Sequence, residues 1–172
     1  MVSALIHAVF FTFAAAAGPS QSAGSQVVDL TEKLMALSRQ YQKLDPSNRP
    51  RLLKELRNVA AERKKNLSRL MQTNPGELPR VALPVSARAG MPAALKGYLE
   101  EEVELVGELE ILVEDRDTGG RYLYFLQTPS ERLSLYFAAD PPEYVTGTRV
   151  HVSGLRVGGD VAIQSRKHVQ PR

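Results

Sequence analysis

The sequence predicts an α+β protein in which an N-terminal antiparallel helical hairpin precedes a small five-stranded antiparallel β-barrel. Up to about residue 72, apolar residues recur every three or four positions, which is typical of amphipathic helices. From Glu102 onward the repeat changes to every second residue, which is typical of strands. Gly107 interrupts an unusually long first strand, and a small closed barrel needs such a strand to bend and serve two sheet faces.

The first 17 residues have the features of a secretory signal. The apolar run from Ala4 to Ala17 is too short to cross about 30 Å of hydrocarbon comfortably. Ala15 and Ala17 are spaced for cleavage before Gly18, although no Lys or Arg precedes the run. We therefore predict a signal peptide over 1–17 and a secreted or periplasmic protein; an uncleaved anchor or a misassigned start codon are the alternatives. No later stretch has transmembrane length, so no stable membrane insertion is expected after cleavage.

A flexible leader is expected over 18–28, followed by the helical hairpin over 29–74. The first apolar stripe has helical spacing and consists of Val27, Leu30, Leu34, Leu37, Tyr41 and Leu44. Asp29 and Glu32 fit a capping box at its start. Pro46 and Pro50 bracket a turn, and Pro50 suits the first turn of a second helix that runs to about Gln72. That helix has its own stripe, made of Leu53, Leu56, Ala60, Leu67 and Leu70 or Met71.

The charge is unevenly distributed although the net charge is only +3, from 22 Lys and Arg against 19 Asp and Glu. The stretch from Gln26 to Arg80 is basic, and the stretch from Tyr98 to Asp117 is strongly acidic. These two regions can attract each other before either attracts a partner. The segment "ERKKNLSR", Glu62 to Arg69, fits a patch for nucleic acid or anionic membrane. The sequence favours the other interpretation, a solvated helix face with cations near the C-terminus, where the helix dipole stabilises them.

A connector with three prolines is expected over 75–99, the barrel over 100–165 and a tail over 166–172. The first strand has an apolar face made of Val103, Leu105, Leu109, Ile111 and Val113, with glutamates opposite. Arg121 to Gln127 and Arg132 to Phe137 form the next two strands, around the turn "TPSE". Thr148 to Ser153 and Val161 to Ile163 complete the five, with a turn at Gly158 and Gly159.

The bent first strand and the closing segment "TGTRVHVSGLRVGGDVAI" resemble the five-stranded oligonucleotide/oligosaccharide-binding (OB) barrel. The helix usual between the third and fourth strands of that fold is reduced here to "DPPEYV". In such a barrel the outward face of strands two and three is the usual ligand platform.

A second resemblance covers most of the chain after the signal. The order is an export signal, the helices "LMALSRQYQKL" and "RLLKELRNVAAERKKNLSRLM", the connector "TNPGELPRVALP", and the strand region. This order resembles the N-terminal region of secreted bacterial proteins, as found ahead of gametolysin-like metallopeptidase domains. The resemblance implies an extracytoplasmic accessory or pro-region module. No H-E-x-x-H is present, so no catalytic residue is carried over, and the chain is either a stand-alone version or a fragment lacking a downstream domain.

Residues for catalysis or metal binding are scarce. The absence of cysteine excludes disulfides, thiol catalysis and Cys-based zinc sites. Of three histidines, His7 lies in the signal, leaving His151 and His168. The cluster Glu114, Asp115 and Asp117 fits a weak calcium site, but the sequence favours an acidic, solvated turn. We predict no enzyme activity, no catalytic residues, no metal site and no cofactor.

The stretch "RYLYFLQ" has bulky residues on both faces of the second strand. If Leu123 and Phe125 point into the core, then Tyr122, Tyr124 and Leu126 point outward and need a cover. The helical hairpin, a protein partner or a ligand could each provide it.

A ligand platform would consist of Tyr122, Tyr124 and Tyr136, flanked by Arg121 and Arg132, since such a set suits base or sugar stacking. The sequence favours a non-enzymatic interaction module with a protein partner, such as a secreted hydrolase. The alternative is an OB-like barrel that binds oligosaccharide or single-stranded nucleic acid through these tyrosines.

Overall fold

The computed structural model describes residues 23–115 and 119–172, so the predicted signal peptide lies outside the described residues. Within these residues four α-helices come first: α1 Ala23–Lys43, α2 Arg49–Thr73, α3 Leu78–Val81 and α4 Val85–Ala89. Six strands follow: β1 Glu101–Glu114, β2 Arg121–Gln127, β3 Arg132–Phe137, β4 Arg149–Val157, β5 Asp160–Ile163 and β6 Val169–Pro171. The predicted α+β class is confirmed. None of the helices in the described part of the chain is long and apolar enough to span a membrane.

The six strands form one mostly antiparallel sheet in the order β1-β2-β3-β5-β4-β6. Because β1 also pairs with β4, the first five strands make a closed ring. The pairing of β3 with β5 is parallel, so the fully antiparallel prediction is wrong at this pair. After β3 the chain runs back through β4, and β5 then lies between β3 and β4 and runs in the same direction as β3. The predicted tail contributes β6, which pairs with β4.

The long strand β1 serves two neighbours, as its sequence predicts. Its first half, Glu101–Glu108, pairs with β4, and its second half, Glu108–Glu114, pairs with β2. Gly107 lies where the pairing changes. A Cβ atom at this position would lie 2.5 Å from the carbonyl oxygen of Gln127. Only glycine therefore lets β2 approach β1 closely enough at the change of partner.

The ring encloses its own apolar core, made of Leu109, Leu126, Leu133, Leu135, Val150, Val152, Val161, Ile163 and Val169. Val103, Leu105 and Ile111 pack against this core, which confirms the inward face predicted for β1. Val113 continues the same face along the strand, but its side chain is 57% exposed.

The helices cover the outside of the ring. Val157 of β4 and Ala162 of β5 pack with a second apolar cluster made of Val27, Leu67, Leu70, Met71 and Leu78. A third cluster lies within the helical part, where Leu34 of α1 meets α2 and the predicted connector contributes Leu83 and Leu95. The connector is therefore part of the packed structure, and it contains α3, α4 and a 3-10 helix, Ala93–Tyr98.

The start of α1 differs from the prediction. The helix begins at Ala23, so residues 23–28 belong to a helix instead of a flexible leader, and the capping box expected at Asp29 and Glu32 is wrong. The physical reason is tertiary burial. Val27 is fully buried against α2 and the ring, and Ala23 packs against the same cluster. These contacts stabilise a further turn and a half of helix that local capping signals do not predict.

A buried ion pair joins the helices to the ring. Arg63 of α2 and Glu100, the residue before β1, are 0% and 2% exposed. The pairing is bidentate, with Nη1 donating to Oε2 at 2.6 Å and Nη2 donating to Oε1 at 2.9 Å. Arg63 Nε also donates to the Thr31 hydroxyl of α1 at 2.7 Å, and the Leu83 amide donates to Glu100 Oε1.

The neighbours of Glu100 decide its charge. Burial alone would raise the pKa of Glu100, but the hydrogen bonds and charge of Arg63, together with the Leu83 amide, outweigh burial and hold the pKa below its ordinary value. Arg88 of α4 donates to the Glu100 carbonyl at 2.7 Å and fixes the backbone at the same point. Glu100 is therefore ionised at neutral pH, and both of its carboxylate oxygens accept hydrogen bonds.

Removing one partner of this pair should destabilise the protein strongly. Arg63→Met or Glu100→Leu leaves the other charge buried and uncompensated, which costs about 3–5 kcal/mol of unfolding free energy. The double variant should recover much of this loss, because no buried charge remains. Urea unfolding of the two single variants and the double variant measures the difference. Equal losses in all three would contradict the ion-pair explanation.

Glu100 should also make the unfolding free energy depend on pH in the acidic range. Its folded pKa is lowered, so its stabilisation is present above the unfolded value and is lost as pH falls through the folded pKa. Below pH 4 the unfolding free energy of the double variant should therefore fall less steeply than that of the natural protein.

Gly107→Ala should destabilise the ring by about 1–3 kcal/mol, because a methyl group would meet backbone that cannot move without breaking a strand pair. Gly97→Ala is the matched control, since no atom lies within 4 Å of a Cβ at that glycine. Urea unfolding should separate the two variants by more than 1 kcal/mol. A similar stability for both would show that β1 and β2 adjust to the extra methyl group.

Candidate interaction surface

The two faces of β2 are the reverse of the predicted arrangement. Leu126 is fully buried in the ring core, and Tyr124 packs against that core. The pairs Leu126–Leu133 and Tyr124–Leu135 place these side chains on the inner face of β2 and β3. By alternation, Leu123 and Phe125 lie on the outer face. The conditional prediction that they point inward is wrong, because pairing with the buried leucines of β3 fixes the register of a strand with apolar residues on both faces.

The five predicted platform residues consequently do not share one face. Tyr122 and Tyr124 lie on the inner side of β2, whereas Arg121 lies on its outer side by the same alternation. On β3, Arg132 and Tyr136 alternate with the buried Leu133 and Leu135 and so lie on the outer side. The three tyrosines cannot stack one ligand together.

The helices partly cover Tyr136. It packs against the apolar cluster that contains Met71 of α2. Burial and then the charge of Asp160 raise the pKa of Tyr136, against smaller opposite effects from the side chains of Ser134 and Gln72 and from Arg121. Intramolecular cover by the helical part, one of the three alternatives open from the sequence, therefore applies to this tyrosine.

Arg132 also has partners within the protein. Its guanidinium lies 3.6 Å from the centroid of the Phe125 ring, and its Nε donates to Glu110 Oε2 at 2.7 Å. This arrangement covers Phe125 on the outer face and joins β1, β2 and β3. A ligand would have to displace these contacts to use Arg132.

The apolar inner face becomes progressively exposed toward the far end of β1 and β2. Leu109 and Leu126 face each other in the core and are buried. The next inward pair, Ile111 and Tyr124, is half-buried, and Tyr124 makes an edge-to-face contact with Phe137 at 5.1 Å. Burial raises the pKa of Tyr124, and the neighbouring Tyr122 adds to the rise.

In the last inward-facing pair, Val113 is 57% exposed and Tyr122 is 62% exposed. Leu112, on the other side of β1, is 42% exposed. We call Leu112, Val113 and Tyr122 the hairpin-end surface. Nothing in the described part of the chain covers it, so two strands extend their apolar side chains beyond the core of the ring.

The hydrogen bonds between β1 and the loop before β4 extend along β1 as far as Ile111. Gly147 and Thr148 hydrogen-bond with the backbone of Leu109, and the Thr146 hydroxyl hydrogen-bonds with the amide and carbonyl of Ile111. Val145, the next residue outward in the loop, is 73% exposed. Charged residues border the end of the strands, where Glu114 lies opposite Arg121.

The alternation of β1 predicts the correct face for Val113, but Leu112, Val113 and Val145 are not among the site residues predicted from the sequence. A signal was present: Ile111, Leu112 and Val113 are three consecutive apolar residues in a strand where glutamate occupies most of the positions between the inward-facing residues. Such a run predicts apolar surroundings on both faces of the sheet at the C-terminal end of β1. Of the candidate calcium cluster, Asp117 lies outside the described residues. Within residues 23–115 and 119–172, no group of three His, Asp or Glu side chains is arranged to hold a metal ion.

Comparison with protein-family models, with curated proteins and with solved structures finds no match to this chain.

The raised pKa values of Tyr124 and Tyr136 provide a test of how far these two side chains are shielded from solvent. Tyr124→Phe and Tyr136→Phe should each remove phenolate absorbance at 295 nm from the part of the alkaline titration above pH 10, since burial favours the neutral phenol. Because a raised folded pKa stabilises the protein only while the phenol is neutral, unfolding free energy should fall as pH rises through these values. Loss of absorbance centred at or below pH 10 would show that these side chains are accessible.

Proposed function

We propose that this protein is an exported, non-enzymatic interaction module that binds a protein partner through the hairpin-end surface. The observation that carries the proposal is the exposure of Val113 and Tyr122, which continue the inner face of the ring without cover among the described residues. Aliphatic and tyrosine side chains with charged residues at the border match the centre and rim of protein–protein interfaces.

The position of the surface also fits this role. Val113 and Tyr122 lie on the paired strands β1 and β2, which are anchored in the packed core by Leu109 and Leu126. Their backbone is therefore ordered before binding. A partner would therefore gain contact area at a low cost in conformational entropy. The exposed Leu112 and Val145 extend the apolar area on either side. A folded protein surface can cover side chains on both sides of a strand end.

The finer architecture belongs to this proposal. We infer an antiparallel helical hairpin from the short connection between α1 and α2 and their shared apolar clusters. We infer an OB-like barrel from the closed ring, the split pairing of β1 and the parallel β3–β5 pair. The segment between β3 and β4 departs from that fold, because residues 138–148 form no helix. The resemblance to N-terminal regions of secreted metallopeptidases makes an exported hydrolase the expected class of partner.

The alternative function, ligand binding by an OB-like barrel through exposed tyrosines, has less support. It requires Tyr122, Tyr124 and Tyr136 on one surface, and these side chains lie on opposite faces of the strands. Arg132, which was expected to flank the platform, is held by Glu110 and Phe125.

Site-specific photocrosslinking in the producing cell tests the proposal. A photoreactive phenylalanine analogue at position 122 should form an adduct with one extracytoplasmic protein. In that adduct, the chain that carries the analogue should begin at Gly18. The same analogue at Val85, which is 58% exposed on α4, is the matched control and should give no such adduct. The partner is then purified and its affinity measured for the natural protein and for Val113→Glu.

A charged side chain at position 113 should weaken this binding by at least about tenfold, because it places an unpaired carboxylate in an apolar interface. Unchanged affinity for Val113→Glu, or equal adducts from positions 85 and 122, would overturn the proposed surface. Recovery of the protein with residues 1–17 still attached inside the cell would overturn the export component alone.

A further inference from the structure

A second surface lies on the solvent side of α2. Five exposed cations, the basic stripe, occupy this side: Arg51, Lys54, Arg57, Lys65 and Arg69. At 100° per residue they fall within about 120° of the helix circumference, and at 1.5 Å per residue they extend over about 27 Å. Arg63, which binds Glu100, lies on the opposite side of the helix.

The charges of the basic stripe are not neutralised within the described part of the chain. Ion pairs there involve Arg63, Arg88, Arg132, His151, Arg156 and Arg166. None of the five stripe residues is among them. Two carboxylates of α2, Glu55 and Glu62, border one edge of the stripe and leave it with an excess of three positive charges. The predicted attraction between the basic helices and the acidic β1 therefore leaves this face free.

The composition of the stripe distinguishes among ligands. None of the large exposed hydrophobic residues lies on α2. A protein interface normally has an apolar centre and few lysines, so this face does not fit a protein partner. Insertion into a membrane interface requires an exposed apolar helix face, whereas the apolar face of α2 is buried against α1 and the ring. An extended row of cations on a rigid helix fits a linear polyanion.

We propose that the basic stripe of α2 binds the phosphate backbone of a single nucleic-acid strand without reading its bases. A shallow groove along α2, lined by Lys64, Lys65, Ser68, Arg69 and Gln72, adds hydroxyl and amide groups next to the cations. Such groups are the usual phosphate ligands. The one large exposed aromatic side chain of β2 and β3 in the described part of the chain, Tyr122, belongs to the hairpin-end surface and not to α2. Binding at the basic stripe therefore relies on charge, and affinity should be independent of sequence. This surface is separate from the hairpin-end surface.

Fluorescence anisotropy of the purified protein with labelled single-stranded dT20 and dA20 tests this proposal. The two oligonucleotides should bind with affinities equal within about threefold, and raising salt from 50 to 200 mM should weaken binding about 50-fold if four phosphates are contacted. The triple variant Arg57→Gln/Lys65→Gln/Arg69→Gln should bind at least about tenfold more weakly at 50 mM salt. Its salt slope should be smaller by about 2.

The matched control is Lys33→Gln/Arg39→Gln/Lys43→Gln, which removes three exposed cations from α1 and changes the net charge equally. Its affinity should remain within threefold of the natural protein. Equal weakening by the two triple variants, or no binding of either oligonucleotide at 50 mM salt, would overturn the proposal. So would stripe-dependent binding to phosphatidylglycerol vesicles or heparin in the absence of oligonucleotide binding. Val113→Glu should leave oligonucleotide affinity unchanged, which separates this surface from the proposed partner surface.

Discussion

The rest of the structure depends on the buried ion pair between Arg63 and Glu100. An ion pair excluded from water contributes favourably only when its geometry is bidentate and its remaining donors and acceptors have partners. Here those partners come from three places: the Thr31 hydroxyl of α1, the Val81 carbonyl and the Leu83 amide. Arg88 separately holds the Glu100 backbone carbonyl. A shift of α1 or of the segment from Val81 to Leu83 would remove a hydrogen bond from one of the two buried charges. The pair therefore fixes how the helices sit on the ring more strictly than the surrounding leucines and valines could, because apolar contacts tolerate sliding.

Local patterns in the sequence were sufficient for the elements themselves. The strands Arg121–Gln127 and Arg132–Phe137 have the predicted bounds, and α2 includes the predicted second helix, because spacing of three and four or of two directly reflects which side of an element is buried. The buried pairing of Arg63 is not predicted by such local patterns. This arginine occupies a position of the apolar stripe between Ala60 and Leu67, and a charged residue there signals a buried partner. No local pattern identifies Glu100 as that partner, because it is one of several consecutive glutamates and only the path of the connector brings it to α2.

The candidate surface was harder to predict because it depends on register. Leu123, Tyr124, Phe125 and Leu126 are all apolar or aromatic, so the sequence of β2 does not determine which face is inward. That choice is made by residues distant in the chain, the buried Leu133 and Leu135 of β3 and Leu109 of β1, and a shift of one residue exchanges the two faces. The register of β2 separates Tyr122 and Tyr124 from Tyr136, and the helices cover Tyr136 in addition, so the predicted platform does not form although its two strands have the predicted bounds.

The ion pair also joins the two elements, α2 and β1, that carry the two proposed surfaces. The basic stripe lies on the side of α2 opposite Arg63, and the hairpin-end surface lies at the far end of the strand that begins one residue after Glu100. Both surfaces are thus carried by elements that meet at the same buried contact. Because the apolar faces of α2 and of the ring are used to hold the molecule together, the surfaces left for partners differ in chemistry. One is charged and nearly free of apolar groups, and the other is apolar with charges at its border. A protein and a polyanion could consequently bind at the same time without competing for the same side chains.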